Sequence, residues 1–182
     1  MSHDLLEAER KHLANLLEAI QRCVFFLHES ESKHAWPLTG AQLVIRKKDV
    51  ALFESLAAIN ERFAKLQDTL AAAMRHSALL MGEPTDSFLR VLAHFEKLGV
   101  IDSTSDWQRS RAARNLAAHD YETDYDDIAE HFNALHELTG MLYAAARRLT
   151  DSCWQTLQIG PVSADFSTEF GRITAQWGAQ AA

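Results

Sequence analysis

The sequence predicts an all-α protein, built as an up-and-down bundle of about five helices. Only seven Gly and three Pro occur among the 182 residues, whereas Ala and Leu are abundant, which favours helix over sheet. Apolar residues recur at steps of three and four in several long segments, as they do on the buried face of a helix. A hydrophobic content of 47% with 24% charged residues is typical of a globular domain.

The first helix is predicted from Asp4 into the high twenties, and it ends before Pro37 and Gly40. Its buried face consists of apolar residues at helical spacing: Leu13, Leu16, Leu17, Ile20, Val24 and Leu27. A longer second helix follows, with a basic start at 46–48 and a stop at 82–84. Its apolar residues have the seven-residue repeat of an antiparallel bundle or coiled coil: Leu52, Leu56, Ile59, Phe63, Leu66, Leu70 and Ala73.

The third helix is predicted to begin at Thr85 or Asp86, which are both good N-caps, and to end before Gly99. Its apolar face is formed by Phe88, Leu92, Phe95 and Leu98. A fourth helix is expected from about Asp106 and contains the segment WQRSRAARNLAAHDY. Asp124 is suited to cap the fifth helix, whose buried positions again step by three and four: Tyr125, Ile128, Phe132, Leu135, Thr139, Leu142, Ala146 and Leu149.

Residues 1–150 are therefore assigned to the helical bundle and residues 151–182 to a C-terminal extension. The extension contains Gly160-Pro161 and has no clear period. It is compatible with a docked tail, a short sixth helix or partial disorder.

Charge and composition limit the classes of partner. A net charge of −7 argues against a surface dedicated to duplex nucleic acid, although it leaves room for a small basic cleft. The two cysteines do not require a disulfide. The N-terminal residues lack the apolar core of a signal peptide, and no apolar run approaches the roughly 18 residues that span a membrane. These features predict a cytoplasmic protein without a membrane partner.

The segment RNLAAHDY concentrates polar groups that can act in catalysis. Arg114 carries a planar, permanently charged guanidinium suited to a phosphate, and His119 can transfer a proton near neutral pH. Asn115 can orient either group by hydrogen bonding, and Arg109 and Arg111 add positive potential upstream. This set can cleave RNA without a metal, through attack of a 2′-hydroxyl on the adjacent phosphate.

The spacing places a geometric condition on this chemistry. At about 100° per residue, His119 lies about 140° around a helix from Arg114, whereas Tyr121 returns to the Arg114 face. The helix must therefore end or bend near His119, or Arg114 must reach around it, or a two-fold dimer must complete the site. On spacing alone, an exposed arginine with a capping histidine is the simpler interpretation.

RNLAAHDY resembles the Arg-x4-His-x-Tyr signature of the HEPN family, and in particular the HEPN toxins encoded beside a minimal nucleotidyltransferase (MNT) antitoxin. The similarity extends from Ser87 to Leu138. There the helix FLRVLAHFEKLGVI leads through a polar turn into a helix ending in RN…HDY, and the acidic stretch YETDYDDI opens the last long helix.

The resemblance implies a homodimeric endoribonuclease toxin that needs no metal or cofactor, with Arg114 and His119 catalytic and Asn115 supporting them. It also implies that the cognate MNT antitoxin adenylylates Tyr121 and so blocks the RNA cleft by charge and volume. An alternative within the same family is a non-catalytic substrate-binding subunit of a nucleotidyltransferase. A third possibility, from another class, is a helical dimerisation protein in which the motif is incidental.

The nine histidines do not predict a metal site. The closest pairs are His28 with His34 and His131 with His136, and neither has the i, i+4 spacing of two ligands on one helix. Asp124, Asp126 and Asp127 are explained as residues that favour a helix N-terminus. Trp36 and Trp107 are expected to pack on the core rather than to stack on bases.

Overall fold

The structure, a computed structural model, describes residues 3–116 and 124–177. Within these ranges the chain forms seven α-helices, a final 3-10 turn and no β-strand, so the predicted all-α class is confirmed. The helices are α1 (His3–Glu31), α2 (Gly40–Ile45), α3 (Val50–Leu80), α4 (Phe88–Lys97), α5 (Thr104–Leu116), α6 (Tyr125–Leu157) and α7 (Ser167–Thr174), and the turn is Ala175–Trp177.

Contacts at the helix ends show how the long helices run relative to one another. His76, near the end of α3, lies 3.0 Å from the carboxylate of Glu9, near the start of α1, so these two helices are antiparallel. Asp102, just before α5, pairs with Arg148 in the second half of α6 at 2.6 Å, so α5 and α6 are also antiparallel. α5 packs against both α3 and α6.

The predicted buried faces of α1 and α3 are confirmed. The predicted face of α6 is buried from Leu135 to Leu149, whereas Tyr125, Ile128 and Phe132 are only partly buried. Every predicted core position of α3 is at most 4% exposed, and on α1 only Leu16 is left partly accessible. Trp107 is buried in the core, and Trp36 packs against its edge. The prediction for Leu98 is wrong, because this residue forms the C-cap of α4 and is 50% exposed.

The short helix α2 was not among the predicted elements. Thr39 and Gln42 form a reciprocal capping box at its start, with the Thr39 side chain accepting from the Gln42 amide and the Gln42 side chain from the Thr39 amide. The sequence suggested that the basic stretch 46–48 forms the start of α3. In the structure this stretch instead joins α2 to α3. Asp49 caps α3 instead, by accepting a hydrogen bond from the Leu52 amide.

The starts of α4 and α5 differ from prediction by a few residues. α4 begins at Phe88, after Ser87, which makes no side-chain capping bond, and Asp86 pairs with Arg90 instead of capping the helix. α5 begins at Thr104, because Ser103 accepts from the amide of Asp106 at 3.0 Å. Two other predicted boundaries are confirmed. Gly99 follows the C-cap of α4 with a φ of 71°, and Asp124 is the N-cap of α6.

The C-terminal part of the described chain lies along α1. α6 continues through residue 150, the proposed domain boundary, to Leu157. The amide of Val162 donates to the carbonyl of Ala14 at 3.2 Å, the amide of Ser163 donates to Glu18 at 3.1 Å, and α7 packs on α1. Among the helices described here, none combines the length and apolarity that crossing a membrane requires.

Candidate functional site

Arg114 lies near the end of the described part of α5 and is tied to α3. Its guanidinium donates to the carboxylate of Asp68, with side-chain exposures of 30% for Arg114 and 56% for Asp68. An ion pair this accessible to water contributes little net free energy. A phosphate group can therefore compete with Asp68 for Arg114 without a large loss of stability.

Three arginines converge on one cleft between α3, α4 and α5. Arg75 from α3 and Arg111 and Arg114 from α5 line a cavity of about 440 Å³, which we call the arginine cleft. Asp68 is the one carboxylate among the lining residues, so the cleft has an excess of positive charge. Its volume is within the range of small-ligand sites, roughly 300–1,000 Å³. A local basic cleft thus occurs in a chain whose net charge is negative.

The walls of the arginine cleft are apolar and aromatic. Ala71 and Ala72 leave space on the α3 side, and Phe88 and Trp107 close the cleft from α4 and α5. The two aromatic rings meet edge to face, with centroids 6.4 Å apart. Such a cleft offers apolar contact to a planar ring together with cationic groups for an anion.

A buried polar pair supports the inner wall. Gln67 is 2% exposed, and its amide nitrogen donates to the hydroxyl of Ser110. That hydroxyl donates its own proton to the carbonyl of Trp107 at 2.8 Å. Because the Ser110 proton is used there, Gln67 must present its N–H group to Ser110, which leaves Oε1 as the free end of the amide. This oxygen is buried and has no partner among the described residues.

The structure places the predicted site residues in three groups. Arg111 and Arg114 both line the arginine cleft. Arg109 does not line it, and pairs at 3.1 Å with Asp106 on the exposed side of α5. Asn115 belongs to α5, but its side chain lies outside the described residues, as do His119 and Tyr121.

Sequence reasoning missed Arg75 and Gln67. Both are on α3, and neither occupies a position of its apolar repeat. One available signal was the alanine run 71–73, because small side chains beside an arginine leave room for a cavity. The approach of α4 and α5 to this face depends on the tertiary packing and could not be read from the helical repeat.

The cysteines lack the properties of catalytic nucleophiles. Burial raises the pKa of the Cys153 thiol to about 12, and burial also raises the pKa of Cys23. Both side chains therefore stay as thiols at neutral pH, and the thiolate is the reactive form. Over the described ranges, the His, Cys, Asp and Glu side chains form no group of three that could hold a metal ion.

A second polar cluster joins α1 to α6. The carboxylate of Glu31 lies 3.0 Å from Nδ1 of His136 and accepts a hydrogen bond from Thr139 at 3.2 Å. Trp36 stacks on the His136 ring with the centroids 4.3 Å apart. Glu31 is 7% exposed, and burial raises its pKa although the hydrogen bonds from His136 and Thr139 oppose the shift. The cluster holds α1 against α6, and its contribution to stability should depend on pH.

Glu31→Gln is expected to remove one component of the pH dependence of stability. The raised pKa means that folding favours protonated Glu31, so its contribution to the free energy of unfolding falls as pH rises from its ordinary pKa of 4.5 through the raised folded pKa. Urea unfolding of both proteins from about pH 4 to about pH 8 gives the difference between their free energies of unfolding, parent minus variant. That difference should decrease across the window and then level off. Glu29→Gln, at an exposed site on the same helix, is the control, and an identical profile for both variants would contradict the assignment.

The fold and the cleft define an all-α protein with an arginine-lined site between its helices. Comparison of the chain with family models, with curated proteins and with solved structures finds no match. The function is therefore argued from the site residues and from the motif.

Proposed function

We propose that this chain is a HEPN-type endoribonuclease toxin that cleaves RNA without a metal and is neutralised by a cognate minimal nucleotidyltransferase. The observation that carries the proposal is the position of Arg114. It lines the arginine cleft together with Arg75 and Arg111, and the segment 117–123 that bears His119 and Tyr121 follows α5 directly. Cationic groups in a concave site suit the binding of a phosphodiester.

The chemistry is an internal transesterification. The 2′-oxygen bonds to phosphorus while the bond from phosphorus to the 5′-oxygen breaks, leaving a 2′,3′-cyclic phosphate and a 5′-hydroxyl. The 2′-hydroxyl loses a proton and the leaving oxygen gains one, so no co-reactant is needed. His119 acts in this proton transfer, and Arg114 stabilises the negative charge that develops on the phosphate oxygens. Asn115 supports the orientation of these groups.

Dimerisation and modification complete the proposal. In a two-fold dimer, the motifs of both subunits share one cleft. Arg114 and His119 then need not lie on the same face of a single helix. The nucleotidyltransferase moves AMP from ATP to the phenolic oxygen of Tyr121 and releases pyrophosphate. The added negative charge repels RNA. Intact mass and peptide mapping of the chain co-expressed with the transferase measure this modification directly.

The decisive experiment is RNA cleavage by the purified chain. We expect cuts in single-stranded RNA, products with 2′,3′-cyclic phosphate and 5′-hydroxyl ends, and no cuts in DNA of the same sequence, which lacks the 2′-hydroxyl. EDTA should leave the rate unchanged. His119→Ala, purified in parallel, controls for contaminating nucleases. Products with 5′-phosphate ends, or activity lost on chelation, would contradict the proposal.

The net charge of −7 and the long helices favour a second candidate function, a non-catalytic substrate-binding subunit of a nucleotidyltransferase. The same cleavage assay separates the two candidates. Stable association with the transferase and no RNA cleavage at any protein concentration would favour the binding subunit.

A further inference from the structure

The three arginines of the arginine cleft are spread along it. Arg114 is held by Asp68 on α3, and Arg75 follows Asp68 by seven positions on the same helix. Seven positions are two helical turns, or about 10 Å along the axis. The helix α3 therefore holds Arg114 at one end of the cleft and carries Arg75 at the other.

The ring of Phe88 fixes the second end. The guanidinium carbon of Arg75 lies 5.6 Å from the centroid of this ring, over its face, in a cation–π contact. The same ring meets Trp107 edge to face, and Trp107 lies one turn before Arg111 on α5. Arg111 is in turn three positions before Arg114, on the same face of that helix. Arg111 thus lies between the Phe88 end of the cleft and Arg114.

The charge in the cleft exceeds what one phosphodiester can balance. Three guanidinium groups and one carboxylate line it, which leaves a net charge of +2, whereas a phosphodiester carries a single negative charge. The carboxylate, Asp68, pairs with Arg114 and not with Arg75 or Arg111. Both of these side chains are exposed, so a ligand can reach them. Two phosphates, one at each end, would balance the charge.

We infer that the arginine cleft holds two successive phosphates of an RNA strand, with Arg114 at one and Arg75 and Arg111 at the next. This inference rests on the proposed function and deepens it, because it makes Arg75 a binding residue for the phosphate beside the cleaved bond. The reaction leaves that neighbouring phosphate unchanged. Arg75 therefore binds the substrate and the transition state equally, and it contributes to affinity and not to the chemical step.

The test compares two thymidine trinucleotides, which lack the 2′-hydroxyl and cannot be cleaved by the proposed chemistry. One has two phosphodiesters, and in the other a methylphosphonate of similar shape and no charge replaces one of them. Calorimetric titration of the whole chain at low salt should give about tenfold tighter binding of the first, the equivalent of one charged hydrogen bond. Arg75→Ala combined with Arg111→Ala should bind both equally. Equal binding by the parent chain, or no binding of either ligand, would overturn the inference.

Arg90→Ala is the matched control for these titrations. Arg90 is an exposed arginine on α4 that pairs with Asp86 and does not line the cleft. The variant should keep the tenfold preference of the parent chain for the ligand with two charges. Loss of the preference in Arg90→Ala would show that the ligands respond to the overall charge of the surface, and it would exclude the cleft as the binding site.

Cleavage kinetics distinguish a binding residue from a catalytic one. Arg75→Ala should raise KM for single-stranded RNA about tenfold and leave kcat nearly unchanged, because the lost contact is the same in both states. It should also lower the salt dependence of RNA binding by about one counterion. A fall in kcat with an unchanged KM would overturn the role given to Arg75.

The two proposals can fail separately. If the trinucleotides are discriminated through Arg75 and Arg111 but RNA is not cut, the nuclease function fails and the site for two phosphates stands. If RNA is cut but the parent chain binds both trinucleotides equally, the site for two phosphates fails and the nuclease function stands. Nuclease activity does not affect the titrations, because neither ligand has a 2′-hydroxyl.

Discussion

Arg114→Ala and His119→Ala are each expected to abolish RNA cleavage, with a fall of about 10²–10⁴-fold in kcat. Removing Arg114 leaves the charge on the pentacoordinate phosphate without its guanidinium. Removing His119 takes away the group that acts in the proton transfer of the proposed mechanism. Single-turnover cleavage of labelled RNA measures the chemical step, and the loss of growth inhibition in cells provides an independent readout. Full activity in both variants would refute the catalytic assignment.

These losses should occur without unfolding or a change in oligomeric state. The guanidinium of Arg114 pairs with an exposed carboxylate, so its removal opens no cavity in the core and costs less than about 1 kcal/mol. Thermal melting and the oligomeric mass should match those of the parent. A variant that fails in cleavage and also melts early would point to a structural role instead.

Asp68→Asn should act in the opposite direction to Arg114→Ala. Asp68 pairs with Arg114, so under the proposed function its carboxylate competes with RNA and places a negative charge beside the phosphate. Replacing it with a neutral amide of similar shape removes about 1 kcal/mol of repulsion, which corresponds to roughly fivefold. We expect a lower KM for RNA with kcat nearly unchanged. A fall in kcat would instead show that Asp68 positions the guanidinium for catalysis.

The sequence predicted the long helices well because their stability comes from periodic burial. A stripe of apolar residues such as Leu56, Ile59 and Phe63 can be satisfied only on a packed helical face, and all three are fully or almost fully buried. The cap Asp124 was also predicted, whereas Asp49, which makes the same kind of side-chain bond at the start of α3, was not. The short helix α2 lacks a long repeat and depends on its Thr39 capping box, a weaker local signal.

The candidate site was only partly predictable because the arginine cleft depends on tertiary packing. Arg111 and Arg114 belong to one helix and were both named from the sequence, Arg114 for its guanidinium and Arg111 for its positive charge upstream. Arg75 and Gln67 are about forty residues away in the chain and join them only because α5 packs against α3. The buried hydrogen bond from Gln67 to Ser110 shows the same limit, since neither residue type indicates a partner in the sequence.

The contact between α2 and the start of α6 has no room for a side chain at Gly40. Gly40 is buried at the first position of α2, and a Cβ atom there would overlap Oδ1 of Asp126 and lie 2.8 Å from the Asp126 backbone nitrogen. The carboxylate can rotate away, but the backbone of α6 cannot. Nearby, Asn133 fixes the chain before α2 with two hydrogen bonds to Leu38, of 2.8 and 2.9 Å. The position of α2 is therefore constrained from both sides.

Gly40→Ala is accordingly expected to destabilise the protein by about 2 kcal/mol, the usual cost of overpacking a site that cannot relax. For a chain of this length, that lowers Tm by roughly 4–8 °C. Calorimetry or thermal circular dichroism measures the shift. Gly171→Ala is the matched control, because a Cβ at Gly171 on α7 has no neighbour within 4 Å, and it should be neutral or stabilising. Equal Tm shifts for the two variants would show that steric overlap is not the cause.

A double variant determines which part of Asp126 resists the new methyl group. Asp126→Ala removes the carboxylate but leaves the backbone nitrogen where it is, so Gly40→Ala combined with Asp126→Ala should recover only part of the lost stability. The two sites are in direct contact, so their effects should not be additive. Complete recovery would mean that the side chain alone fills the space. Partial recovery would mean that the close approach of the two backbones fixes α2 against the helix that follows the His119 segment.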